Sequence, residues 1–132
     1  MKDRKVNCSY LWQSWAKKNP DSKHVIEAKN RMSKYKKTDW QDMVLDAETA
    51  IDKLKFLVTE NIDPKSDIAQ ESLDYLIDHI NKYFFNVDKE YITIMAFTLR
   101  CNKDHRTFFD AFQPGLTDKL ILLIDERLKA VD

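Results

Sequence analysis

Gly115 is the only glycine in a chain of 132 residues, and it limits the fold more than any other feature. At the usual frequency of roughly 7%, about nine would be expected. Two-residue β-hairpins depend on glycine or asparagine at positive φ, and three prolines add little turn chemistry. An all-β fold is excluded on these grounds. The chain reads instead as all-α, a bundle of about five to seven helices joined by short corners. Gly115 itself stands between Pro114 and the apolar run that starts at Leu116. Proline cannot continue the preceding helix but suits the start of the next, and glycine permits positive φ or a close backbone approach. The pair is expected to form a sharp corner that lays the last helix across the bundle.

Helical periodicity is strong from Thr38 onward. Trp40, Met43, Val44, Ala47, Ile51, Leu54, Leu57 and Val58 follow the spacing of one helical face, with Thr38 as the expected N-cap. The Asp63-Pro64 step breaks that helix. Ser66 or Asp67 caps the next, whose stripe is Leu73, Leu76, Ile77, Ile80, Tyr83 and Phe84, with Asn86 as its end. Asp88 caps a third helix through about Cys101. Tyr91, Ile92, Ile94, Met95, Ala96, Phe97 and Leu99 make it apolar on most of its circumference, the pattern of a central helix. The stretch 102–106 reads as a turn and 106–112 as a short helix. The last helix turns Leu116, Leu120, Leu123, Ile124 and Leu128 inward.

Residues 1–37 differ from the rest. Val25, Ile26, Lys29 and Met32 give only a thin apolar edge, so this part is expected to be helical when docked and to act as a mobile lid. Residues 38–132 are expected to form the ligand-binding core of what is overall one domain. Charge divides along the same boundary. Residues 1–40 carry 11 Lys and Arg against 4 Asp and Glu, whereas 41–132 carry 11 against 18. An electrostatic grip of the start on the body follows, and the acidic body argues against direct nucleic-acid binding. Cys8 and Cys101 match no metal-ligand spacing, and no apolar run is long enough for a membrane span. The N-terminus does not resemble a signal peptide. A cytoplasmic protein with free thiols is expected, monomeric and without cofactor or metal.

No catalytic constellation is visible, so the chain is not expected to be an enzyme. His24, His79 and His105 are scattered. Asp78 adjoins His79, but neighbouring helical residues do not face one another, so Asp74 or Tyr83, about one turn away, is the expected partner. For His79 a polar role in lining a cavity stands beside a plain structural role, and catalysis or metal binding remains open. A haem role has no second feature to support it. The aromatic residues are more informative. Trp12 and Trp15, three residues apart in a weakly apolar segment, look like a hydrophobic lid. Tyr83, Phe84, Phe85 and Tyr91 surround one helix–helix corner.

Four short elements in order resemble the TipAS-like antibiotic-recognition domain, the ligand-binding portion of certain MerR-family transcription activators. They are Tyr35 with Asp39 and Trp40; His79 with Tyr83 and Phe84; Asp88 with Glu90; and Pro114-Gly115-Leu116. The likeness runs from about Trp15 to Leu128. It implies a globin-like all-α bundle whose N-terminal part orders on ligand binding. It also implies a hydrophobic or aromatic, antibiotic-like small-molecule ligand held non-covalently, for sensing or sequestration. The ligand-binding residues expected on the joint reading are Trp12, Trp15, Tyr35, Trp40, His79, Tyr83, Tyr91, Met95 and Leu99. Two departures stand out. Val87 occupies the place of the family's common cysteine, and the segment from Leu99 to His105 does not keep the family pattern. With no MerR helix-turn-helix expected ahead of the module, the resemblance implies binding without a DNA-reading half. The other reading is an interaction module whose groove takes a partner's helix or peptide in transcription regulation.

Overall fold

A computed structural model describes residues 15–131, with side chains to Lys129. Trp12 and Cys8 therefore lie outside the described residues, as does the part of the expected lid before Trp15. A helical turn at residues 15–18 leads into α1 (Lys23–Met32), α2 (Lys37–Thr59), α3 (Asp67–Tyr83), α4 (Lys89–Cys101), α5 (Lys103–Asp110) and α6 (Leu116–Val131). Among the described residues there is no strand, and no helix is long and apolar enough to cross a membrane. The chain is an all-α helical bundle.

Each boundary has a local cause. Ser22 Oγ accepts from His24 N–H to start α1, and Ser66 Oγ accepts from Ala69 N–H to start α3. Asp88 and Asn102 do the same for α4 and α5, through Tyr91 and His105 N–H. Helix α2 begins at Lys37, ahead of the expected Thr38 cap. The Asp39 carboxylate accepts from Lys36 N–H at 2.8 Å and so fixes the first turn from inside the helix. The same helix ends at Thr59, before the Asp63-Pro64 break. Asn61 takes φ 49°, and Ile62 N–H returns to Leu57 O at 2.9 Å. Asparagine thus fills the left-handed position that glycine usually fills after a helix. That substitution helps a chain with one glycine stop its longest helix.

Helices α2 and α3 form an antiparallel hairpin, and α6 lies against α2, α3, α4 and α5. Leu54, Leu57, Leu73, Leu99, Leu116, Leu120, Leu123 and Ile124 are buried at this junction. Each contributes about 1.5–3 kcal/mol through removal of its side chain from water. Polar anchors fix the crossing. Arg127 binds Gln70 and Asp74, Gln70 donates to Leu123 O, and Lys119 Nζ donates to Ile62 O at 2.8 Å. Gly115 has φ +90°, the first of the two roles that the corner reading allowed, and its open side faces Val58 Cγ1.

A second apolar cluster forms where α1 meets the α3–α4 corner, around Ala28, Met43, Tyr83, Phe84 and Phe85. Helix α1 buries His24, Val25 and Ala28, while Ile26 of the expected apolar edge is half exposed. Its buried edge is therefore rotated from the expected one. Helix α4 also departs from expectation. Only Ala96 and Leu99 are buried, and Phe97 is 67% exposed. It is not the central helix: α2 and α6 hold that place, and much of its remaining apolar surface faces a cavity.

Candidate functional site

The cavity lies between the two clusters and has a volume of about 150 Å³. Helix α2 supplies Ala47 and Ile51, and α3 supplies Leu76, His79 and Ile80. The α3–α4 corner adds Phe84 and Phe85, and α4 adds Tyr91, Ile94, Met95, Thr98 and Leu99. His105, Phe108 and Phe109 form the α5 wall, Leu120 comes from α6, and Trp15 borders the space from the N-terminal turn. The spacing of four along α4 from Tyr91 to Met95 to Leu99 places these three on one side of the helix.

The aromatic rings support one another. Phe85 meets Tyr91 edge-on at 4.7 Å, and Trp15 lies 6.0 Å from Tyr91 and 6.2 Å from Phe85. Phe108 contacts Phe109 edge-on at 5.2 Å. Edge-to-face geometry is the favoured arrangement for such pairs and holds the wall in shape. Burial pushes the Tyr91 hydroxyl up to about 12, so it remains a neutral phenol.

Two histidines interrupt the apolar lining. His79 is 3% exposed, and its Nδ1 lies 2.8 Å from Asp46 Oδ2. Asp46 also accepts from Tyr75 Oη at 2.6 Å. Partial desolvation opposes ionisation of Asp46, but the bonds from Tyr75 and His79 hold its carboxyl below the usual carboxylate value. Burial pushes His79 below the ordinary histidine value despite the opposing pull of Asp46, and burial likewise lowers His105. Both imidazoles are therefore neutral at pH 7. His79 Nε2 and His105 Nδ1 are buried without a hydrogen-bond partner.

The partner of His79 corrects the sequence expectation. Asp46, 33 positions away on α2, takes the role assigned to Asp74, which instead binds Arg127. Tyr83 does contact His79, but by ring packing at 5.2 Å.

The structure places Trp15, His79, Tyr91, Met95 and Leu99 around the cavity. Tyr83, Tyr35 and Trp40 are elsewhere. Tyr83 packs behind His79, and its carbonyl accepts from Tyr35 Oη at 2.7 Å. Tyr35 in turn meets Trp40 edge-on at 5.4 Å. These three form a brace between the α1–α2 connection and the end of α3. Sequence reasoning did not select His105, because 102–106 resembled a turn, nor Phe108 and Phe109 of the expected short helix. The structure makes the 102–106 stretch the start of α5, with Asn102 alone as the corner. The signal was present in Asn102, a strong N-cap residue. Leu99 and His105, at the two ends of the segment that departs from the family pattern, both line the cavity. Val87 packs against the second cluster instead.

His24, Asp88 and Glu90 bring three potential metal ligands together. Lys23 Nζ already lies 3.2 Å from Asp88 and 3.5 Å from Glu90, so an ammonium supplies the positive charge there. Cys101 is exposed and is not part of the cavity wall.

Comparison with curated proteins and with solved structures finds no match. The family model of the TipAS antibiotic-recognition domain matches residues 12–122, most of the chain. That span takes in the cavity-lining residues described above, and the chain belongs to the TipAS antibiotic-recognition domain family.

Proposed function

We propose that this protein binds a large apolar or aromatic small molecule, antibiotic-like in character, without forming a covalent bond. The observation that carries this reading is the cavity of about 150 Å³ lined by Phe84, Phe85, Tyr91, Phe108, Phe109 and Trp15. An apolar cavity of about that size accepts a benzene ring. A larger ligand would seat one ring there and extend past Trp15. Residues 1–37 act as the lid on this reading, closing over the part that emerges. The action is sensing or sequestration by a monomer in the cytoplasm, and it requires neither catalysis nor nucleic-acid contact. Family membership supports small-molecule recognition as the task.

Trp15 gives a direct test. A variant with Trp12→Phe and Trp40→Phe leaves Trp15 as the single tryptophan. Its emission is followed during titration with compounds running from naphthalene to aromatic antibiotics. Saturable change with at least one compound is expected. No change across the panel at millimolar concentration would refute the reading.

A further inference from the structure

The cavity wall is apolar except at a few points, and one of them has a fixed polarity. Asp46 is ionised and can only accept hydrogen bonds, so His79 Nδ1, 2.8 Å from it, must carry the proton. In a neutral imidazole the other nitrogen is then a bare acceptor. That nitrogen, Nε2, is buried, and no protein group bonds to it. The ring is locked behind by Tyr83 at 5.2 Å and Phe84 at 5.9 Å, so it cannot readily turn elsewhere for a partner. Tyr75 holds the opposite carboxylate oxygen of Asp46, which keeps the carboxylate from rotating away. The whole arrangement orients one lone pair on a cavity-lining ring.

We propose that the cavity selects an aromatic ring bearing an N–H or O–H donor, which it recognises through His79 Nε2. A heteroaromatic N–H, an anilide N–H or a phenol has the required chemistry. A ring of equal size without a donor leaves Nε2 desolvated and unpaired, and it binds more weakly for that reason. His79 is here a specificity-determining residue, and Asp46 a positioning residue that sets its tautomer. His105 Nδ1 offers a second polar point on the α5 wall. It adds a second hydrogen bond for ligands that carry another polar atom.

The inference rests on the ring-binding reading, and two measurements separate them. First, long-range proton–nitrogen NMR of the free protein reports the His79 tautomer. The Nδ1–H form is expected at pH 7, and an Nε2–H or doubly protonated ring would overturn the proposal without any ligand. Second, indole and benzothiophene are compared by NMR titration, since they differ chiefly in the N–H. Indole is expected to bind about five- to tenfold tighter, the effect of one buried hydrogen bond. His79→Leu should erase that preference, so that indole and benzothiophene bind alike, and His79→Gln, which keeps an acceptor, should retain part of it. Equal affinity of the two compounds for the wild type would sink the donor inference and leave ring binding standing. Failure of both to bind would overturn ring binding and this inference together.

Discussion

His24 Nε2 lies 3.2 Å from Asp88 Oδ1, so a buried imidazole on α1 meets the carboxylate that caps α4. The same carboxylate accepts from Tyr91 N–H at 2.8 Å and from Lys23. One side chain therefore starts a cavity-lining helix and holds down the segment in front of it. The His24 ring also packs on Phe85 at 4.9 Å and Tyr91 at 5.5 Å.

Asp88→Ala should loosen both connections. Loss of an N-cap costs about 1 kcal/mol. Loss of the bonds to α1 should show separately as amide exchange across Lys23–Met32 that is faster in the variant than in the wild type. In the wild type, α1 should already exchange faster than α2, as the lid reading requires. Equal protection of the two helices would refute the lid. The backbone N–H of Tyr91, then Lys23 and His24, hold the Asp88 carboxyl down at about 2. Its stabilising contribution is present above the ordinary value of 3.8 and is lost as pH falls through about 2.

Stability should also decline on the acidic side of neutrality. His79 and His105 sit below the ordinary value of 6.5, chiefly because burial penalises the charged ring. His79 faces Asp46, which opposes this, and Lys82, which adds to it; His105 has Asp104 and Lys18 nearby. The unfolded chain takes up these protons first, so stability is full above about pH 6.5 and falls as pH drops toward the lower folded values. Melting temperatures at pH 7.5 and 5.5 check this. A His79→Gln and His105→Gln double variant should show a flatter profile over that interval.

Gly115→Val should destabilise the fold by about 1–3 kcal/mol. A β-carbon there would meet Val58 Cγ1 at 3.7 Å, an ordinary contact, so the cost comes from the φ of +90° and not from crowding. Gly115→Ala should accordingly cost a similar amount despite its smaller side chain. A thermal melt of each variant tests this, and a Tm unchanged in both would show that the corner tolerates a side chain.

Trp15→Ala should reduce indole affinity tenfold or more, about 1.4 kcal/mol. Tyr91→Ala should act in the same direction. A Cys8→Ser and Cys101→Ser double variant should leave affinity nearly unchanged, since Cys101 is exposed and outside the cavity wall. Calorimetry measures the affinities, and a mass increase on a thiol after incubation with an aromatic antibiotic would contradict non-covalent binding.

Features decided within one or two turns were legible in the sequence. Ser66, Asp88 and the Pro114-Gly115 corner act on their immediate neighbours, and each occurs where the residue types suggested. One wall of the cavity was equally legible, because Tyr91, Met95 and Leu99 share one helical face. Contacts between distant elements were not. Nothing in the neighbourhood of His79 points to Asp46, because the pair exists only once α2 and α3 are antiparallel. Tyr35 and Trp40 are prominent in sequence, yet they satisfy each other and leave the cavity to Phe108 and Phe109. Apolar character likewise overstated the burial of α4, since an apolar face can line a void as well as a core.

Helix α5 has no buried residue, yet it presents His105, Phe108 and Phe109 to the cavity. Phe108 and Phe109 also pack against the main apolar cluster, and polar bonds on other sides of the helix add to that attachment. Arg106 donates to Leu99 O and to Asp118, Thr117 N–H donates to Asp110, and Thr117 Oγ1 donates to Arg106 O. Phe108 and Phe109 therefore both hold the helix and shape the cavity, while Arg106, Asp110 and Thr117 hold it without lining the cavity. Any change of Phe108 or Phe109 alters the shape of the cavity and the seating of α5 at once, so the two properties cannot drift independently.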